Sequence, residues 1–530
     1  MLKDKNNQLS FHSILYNRIP KNHTLKLINE AIDLSFLTEL LEGSYNKYYG
    51  RPAKDPELMI RLLILQHLYN LSDVEVIEDA SVNLAYLWFL GLNPDDSLPD
   101  PSLLSKFRVH RLKDITLDEI IVEIVKQCVE KEIIQDTGIS IDATHTEANT
   151  FRAMAERVMK HLAKKIFKTL ENEAGEIPEE INQDIPDYKE IEDHREAKKV
   201  MKEYVEKEID KISCITNKEA HPETTKIIEN AKEIMSGPKF LEQKGVRSLV
   251  DQDARVGHKS KIDHFFGYKT EFTMTTEERI ITAVTVANGA YVDGTQFDKL
   301  MDLTMDTGLQ VKEVYGDKAY FRKPILEKIE EIEAKPYIPV SQSVYRIDEE
   351  KYSYNKDSDE WFCSEGNFTV NKKYFKRKNG IRKGKENYKY YFEKEKCRNC
   401  SKRKECISGT TIGKILEVGI YTTEFYQLNQ EQKTDEFKEK YKNRACHEGK
   451  NGEMKVHHGL SRARGYGLRS MSTQAKLTAI AVNLKRIASI LSSKIDIIIE
   501  FLGSKINIYI KTLSHVTREK NRGTFSVVSF

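Results

Sequence analysis

Four residues in the last fifth of the chain, Tyr441, Arg444, Glu448 and Lys455, have side chains that could act together. At 100° per residue they fall at about 0°, 300°, 340° and 320°, a stripe about 60° wide on one helix face. A phenol, a guanidinium and an ammonium around one carboxylate suit a site that holds a metal ion and grips a phosphodiester. A salt-bridged surface helix gives the same pattern. Gly449 and Gly452 also weaken such a helix.

Metal chemistry at a phosphodiester needs more than one acid, and two others stand where strands can present them. Gly138-Ile-Ser-Ile-Asp142-Ala-Thr-His predicts a short strand with Ile139 and Ile141 on one face and Ser140 and Asp142 on the other. Val311 to Tyr320 predicts a second short strand closing at Asp317. Between them the pattern reads as a hairpin, Tyr268 to Met274 and Arg279 to Val286, then a helix from Gly294 to Thr307. A helix from Lys323 to Ile332 and a strand from Ala334 to Val340 follow Asp317. The expected fold class is therefore α/β, a mixed sheet with flanking helices. Acids at strand ends of such a sheet are well placed for chemistry, although strand-terminal Asp also forms turns. Three carboxylates on two strands and a helix are what two-metal phosphoryl transfer requires, with Mg²⁺ or Mn²⁺ preferred by hard oxygen ligands.

Two long segments interrupt this pattern. Residues 151–245 are charged and helix-rich, and from Glu171 to Asp193 they carry ten acidic residues against one Lys. They read as a solvated helical insertion. Residues 341–430 are basic, with fifteen Lys and Arg against three Glu between Lys372 and Lys404. Here Cys363, Cys397, Cys400 and Cys406 offer four soft ligands for structural Zn²⁺, with four reduced thiols as the other reading. Tyr374, Phe375, Tyr388, Tyr390, Tyr391 and Phe392 are interleaved with the basic residues, as on a surface that stacks on bases and binds phosphates, or in a solubilising hairpin.

The remaining segments frame these. Residues 1–125 predict short helices: Leu58, Leu62, Leu65 and Leu68 point inward on one, Ser72 and Glu75 cap another, and Lys106, Arg108, His110 and Arg111 crowd a third. They fit a helix-turn-helix-like DNA reader or an ordinary bundle. Arg462 and Arg464 lie in a basic Gly-rich loop that could run along DNA, and Leu477 to Leu491 forms a core stripe. The net charge of +2 hides these opposed segments, and seven Cys without a basic-apolar leader point to reduced thiols and a cytoplasmic protein. No apolar run reaches the ~20 residues of a membrane helix.

The spacing Tyr441-x2-Arg444-x3-Glu448-x6-Lys455 resembles the signature of the DDE transposases of bacterial insertion sequences. Tyr-Gly-Asp317-Lys-Ala-Tyr, Ile-Ser-Ile-Asp142-Ala-Thr, Asp253 to Ser260, Phe265 to Lys269 and the Arg51 to Arg111 module look like the same group. The resemblance implies an RNase H-like core in which Asp142, Asp317 and Glu448 bind metal. It also implies that Arg444 and Lys455 contact phosphate and that Tyr441 supports them. The implied activity is binding of terminal inverted repeats, metal-dependent cleavage at the element ends and strand transfer, by a homo-oligomer on DNA with no membrane partner.

The corresponding division is a helical DNA-binding domain at 1–125, the first core strand at 135–150, the helical insertion at 151–245 and core elements at 246–340. The Cys-rich insertion at 341–430, the catalytic and core helices at 431–495 and a tail at 496–530 follow. A DNA-binding relative that no longer cuts, or a nuclease without strand transfer, stays open. Glu453 is a rival third carboxylate but falls on the far side of the wheel from Arg444, and Asp293 sits in an Asp-Gly turn.

Overall fold

The computed structural model describes residues 11–46, 53–150, 153–236, 248, 250–260, 262–378, 384–407 and 411–522, with side chains at 114, 115 and 495–522 left aside. Arg51 and Pro52, which open the N-terminal part of the resemblance, lie outside the described residues. Six strands form the central sheet: β1 (Gly138–Glu147), β2 (Arg255–His258), β3 (His264–Thr275), β4 (Ile281–Asn288), β5 (Glu313–Tyr315) and β6 (Lys335–Tyr337). Antiparallel pairing joins β4 to β3 and β3 to β1; parallel pairing joins β1 to β5 and β5 to β6. Strand β2 extends the β4 edge by pairing with the start of β3.

β1 is longer than the sequence predicts. It runs ten residues because β3 pairs with it from Ile139↔Thr275 to Glu147↔Gly267. Asp142 therefore sits mid-strand rather than closing it, whereas Asp317 lies just beyond the end of β5, after Gly316. Gly267 is needed at the crossing: a Cβ there would collide with the Thr146 carbonyl.

Helices cover both faces. The Asp142 face lies under the helix Cys446–Val456, whose His447 packs on Phe272 with ring centroids 4.8 Å apart. The long helix Gly467–Arg522 packs beside it, and Asn483 both accepts from and donates to the backbone of Ile281. The opposite face lies under the helix Phe297–Asp306, where the hydroxyls of Thr273, Thr282 and Thr304 bond one another.

The N-terminal helices share the core of the sheet. One continuous hydrophobic cluster runs from Ile19 through β1 and β3 to Ala488. The helix Gly467–Arg522 makes it continuous, touching Thr24–Ala31, Pro56–Leu68, Asp114–Glu130 and β4. All thirteen residues of Pro56–Leu68 are buried, not only the four-leucine stripe, because partners surround that helix. Of the basic residues expected on the third helix, Arg108 is ion-paired with Asp73, and Arg111 bonds Ser44 and lies 4.5 Å over the Tyr45 ring.

The two interrupting segments have separate cores. The helices Ala155–Ala174, His194–Ile215 and Pro222–Ser236 bury Met159, Leu162, Ile166, Met201 and Ile212 among themselves. Thr150 and Ser248 bond at 2.6 Å where this segment leaves and rejoins the sheet. The Cys-rich segment contains β7 (Tyr352–Asn355) paired with β8 (Glu360–Cys363). Its other sheet has β10 (Glu386–Phe392) between β9 (Thr369–Lys376) and β11 (Ile415–Gly419). Among the described residues its buried cluster is Trp361, Tyr390, Phe392, Cys397, Leu416 and Val418. Tyr390 and Phe392, expected on a base-stacking surface, are thus core residues. Strand alternation turns them inward, while Tyr374 remains exposed.

Candidate active site

Asp142 and Asp317 stand side by side. Ser140 of β1 pairs with Tyr315 of β5, and each acid lies two residues further along its strand direction. Asp317 keeps extended backbone angles (φ −78°, ψ 174°), so both side chains leave the same sheet face. Adjacent strands are about 4.8 Å apart, a spacing at which two carboxylates can share a cation. The Asp317 carboxylate also accepts from the Ala319 amide at 2.7 Å, capping the short turn Lys318–Tyr320. Burial, helped by the charges of Asp317 and Asp293, pushes the Asp142 pKa up to about 6 against the pull of Arg444.

The stripe of four residues spans three consecutive helical pieces rather than one helix. Tyr441 ends Asp435–Tyr441, Arg444 lies in the 3₁₀ turn Lys442–Ala445, and Glu448 and Lys455 lie in Cys446–Val456. The face survives these changes. Arg444 Nη2 is 3.8 Å from Asp142 Oδ2, and Asn451 Nδ2 donates to the same oxygen at 3.5 Å. Lys455 Nζ lies 3.3 Å from His145 Nδ1, three residues further along β1. Asn451, Lys455 and Glu448 fall within about 60° of one another on the helix. Glu448 itself is exposed, whereas the helix is buried through Cys446, His447, Lys450 and Met454.

Tyr441 stacks on Phe437 (6.0 Å, 16°), and its pKa is raised chiefly by burial, with Asp317 and Asp142 adding to the rise against Arg444. Burial and Lys259 push Lys455 down to about 8. His145 is pushed to about 4 by burial and by Lys455, so it is neutral beside that ammonium at neutral pH.

The rival acids are each ion-paired to lysines. Glu453 is ion-paired to Lys450 and Lys485, both at 3.1 Å, on the side facing the long helix. Asp293 pairs with Lys269 at 2.8 Å and precedes Gly294, whose φ of +80° is the left-handed turn conformation that glycine permits. Two residues escaped the sequence reading. Asn451 lies three positions after Glu448, and only the docked geometry shows it touching Asp142. Glu271 is buried on the opposite sheet face, accepting from Gly294 N, Tyr291 and Tyr320. Strand alternation alone gives no sign that this acid is inward.

The basic loop is partly committed. Arg464 donates to the Leu71 carbonyl (2.9 Å) and to Asn70 Oδ1 (2.7 Å), tying the loop to the N-terminal helices, while Arg462 bridges to Glu147 through backbone pairing and stays exposed. Cys363, Cys397, Cys400 and Cys406 line one cavity of about 1080 Å³ in the Cys-rich segment.

Among the described residues no three His, Cys, Asp or Glu side chains are gathered closely enough to hold a metal ion. The oxygen donors beside β1 nevertheless fit a hard divalent cation. Asp142 and Asp317 are neighbouring acids, Arg444 approaches Asp142 only at 3.8 Å, and the Asn451 Oδ1 oxygen is buried without a hydrogen-bond partner.

Comparison with protein families finds two matches. Residues 13–110 match a model described as a transposase domain (DUF772), and residues 362–488 match one described as a transposase DDE domain. The second match contains Glu448 and its helix. No solved structure matches the chain. No helix among the described residues is long and apolar enough to cross a membrane.

Proposed function

This chain belongs to the DDE transposases of insertion-sequence type, and from that premise we propose that it binds the terminal repeats of its element, cleaves there and transfers the freed strand to target DNA. The observation that carries the reading is the level placement of Asp142 and Asp317 on adjacent parallel strands, with the Glu448 helix docked over them. The strand order β4-β3-β1-β5-β6, antiparallel on one side of β1 and parallel on the other, supports an RNase H-like core.

In this reading Asp142, Asp317 and Glu448 hold divalent metal, Mg²⁺ or Mn²⁺, with the Asn451 oxygen nearby. Bound there, such ions supply Lewis acidity at the phosphodiester and an activated attacking oxygen. Arg444, whose contact with Asp142 is long, would grip phosphate, and Tyr441 would buttress it. Lys455, at the other end of the face, neutralises the strand beyond the scissile bond, and Arg462 lies exposed in the loop beyond. Arg464 anchors that loop beside the DNA path. Residues 1–125 recognise the ends, and two or more copies hold them together.

The test is cleavage of duplex DNA carrying the gene's own flanking repeats. Wild-type protein nicks it at the element end with Mg²⁺ and not with EDTA, and Glu448→Gln loses at least about 100-fold, the order for removing one group that stabilises transition-state charge. Full activity in Glu448→Gln removes that residue from the site. A pre-cut end that is never joined to target makes the protein a nuclease.

We also propose that the four cysteines hold structural Zn²⁺. Their shared cavity, the donation from Asn367 Nδ2 to Cys397 Sγ at 3.1 Å and the small buried cluster support it, and binding would require the four sulfurs to draw closer together than they stand in this structure. Protein purified without chelators should carry about one Zn per chain, and Cys397→Ser with Cys400→Ser should lose it. Clearly substoichiometric zinc in the unmodified chain refutes the assignment.

A further inference from the structure

The helical insertion hides a basic cavity inside an acidic segment. On the helix Ala155–Ala174, Val158, Met159, Leu162 and Ile166 face the insertion core. Arg157, Lys160, His161 and Lys164 recur at i, i+3, i+4 and i+7 and share another face. No acid interrupts this helix between Arg157 and Leu170. That face forms one wall of a cavity of about 770 Å³, and Tyr188, Lys189 and His194 form the other.

The charges are sorted, not mixed. One carboxylate lines the cavity, Glu156, and it is buried against His194 Nδ1 at 3.2 Å. The Lys160 ammonium stands 5.9 Å over the Tyr188 ring. His161 has its pKa lowered by burial and then by Arg157, Lys164 and Lys160, a sign of how closely positive charge is crowded. Ion pairs of the insertion such as Lys199–Glu203, Lys202–Glu206 and Lys232–Asp210 lie on its other helices. The chain from Glu171 to Asp193 places ten acids within reach of sequence, yet the cavity wall stays cationic.

We propose that this cavity seats the sugar–phosphate backbone of DNA, as a second contact away from the catalytic cleft. Lysines and arginine one turn apart on a helix, opposite an aromatic ring, form a track for successive phosphates and carry no sequence preference. The insertion leaves β1 soon after Asp142 and rejoins ahead of β2, so a strand held here is tethered to the sheet that bears the acids. The inference rests on the reading of the chain as a DNA-processing enzyme.

The experiment is fluorescence anisotropy of full-length protein on duplex DNA with the flanking repeats, over about 50–200 mM salt. Each phosphate contact contributes about 0.9 to the slope of log affinity against log salt. The triple variant Arg157→Ala, Lys160→Ala, Lys164→Ala should lower the slope by about 2–3 and weaken binding by at least about tenfold. The control Lys199→Ala, Lys202→Ala, on another helix, should leave the slope unchanged. If the triple variant proves misfolded by circular dichroism, the exposed Lys164→Glu alone should still weaken binding while the control does not. A wild-type slope in the folded variant overturns this proposal and leaves the enzyme reading standing. Failure of the wild-type protein to bind DNA at all overturns both.

Discussion

Asp142→Asn should abolish cleavage and at the same time make the metal-free protein more stable at neutral pH. The loss should be at least about 10³-fold, equivalent to about 4 kcal/mol of transition-state stabilisation. The gain follows from the carboxylate's surroundings. Burial beside Asp317 and Asp293 lifts its pKa from 3.8 to about 6. An acid that titrates higher in the folded chain than in the unfolded one supports folding while protonated. That support is complete below about pH 4 and disappears as pH rises through about 6, so at pH 7 the ionised group is a cost. Asn carries no such charge. With the side chain 18% exposed, the difference at pH 7 should be about 1–3 kcal/mol in favour of the variant.

Differential scanning calorimetry of both proteins in EDTA at pH 4 and pH 7 measures this. The variant should melt higher at pH 7 and the two should converge at pH 4. Adding Mg²⁺ should raise the melting point of the unmodified protein and leave the variant almost unmoved, because stabilisation by a ligand follows its affinity for the folded state. Equal melting points at both pH values, with no response to Mg²⁺, would show that Asp142 does not form a strained cation site.

The sequence displays the acids but not how they come together. Asp142 and Asp317 are separated by 175 positions, and local pattern puts each near a short strand. What aligns them is the parallel register Ser140↔Tyr315, a long-range pairing with no local signature. The strand after Asp142 also looks too polar to continue, with Thr144, His145 and Thr146. Those threonines are buried instead, Thr146 donating to the Leu460 carbonyl at 2.9 Å, so tertiary partners extend β1 past its apparent end. Arg444 and Lys455 both reach β1 because the 3₁₀ turn at 442–445 changes the winding only briefly.

The helical character of the N-terminal part was legible from its leucine spacing and from the capping box, in which Ser72 and Glu75 bond each other's backbone. Its union with the sheet was not, because nothing near residue 60 reveals that a helix near residue 480 will cover it. Composition likewise registered the insertion as acidic and missed that Arg157, Lys160 and Lys164 share one cavity wall. Sequence counts charges, whereas folding sorts them.

That covering helix carries the last expected result: Asp118→Ala should destabilise the whole molecule by about 3–5 kcal/mol, a large part of the stability of an ordinary domain. Lys476 lies on Gly467–Arg522 with its side chain 1% exposed, and its Nζ is 2.7 Å from Asp118 Oδ1 on Asp114–Glu130, itself 6% exposed. Lys299 approaches the other carboxylate oxygen at 3.6 Å, from the helix over the opposite sheet face. One buried acid therefore ties together three helices that enclose β3 and β4. Taking it away removes a short ion pair from a buried ammonium, which costs more than the pair itself contributes. Replacing both partners by apolar groups, Asp118→Leu with Lys476→Met, should recover most of the loss, since no charge is then stranded. Urea unfolding of the two single variants and the double variant measures the coupling directly. Glu453 on the Glu448 helix is held by Lys485 of the same long helix, so the single variant should also lose cleavage activity at temperatures below its unfolding midpoint. Additive effects of the two substitutions, each under about 1 kcal/mol, would mean that the packing of the long helix holds the site in place without this ion pair.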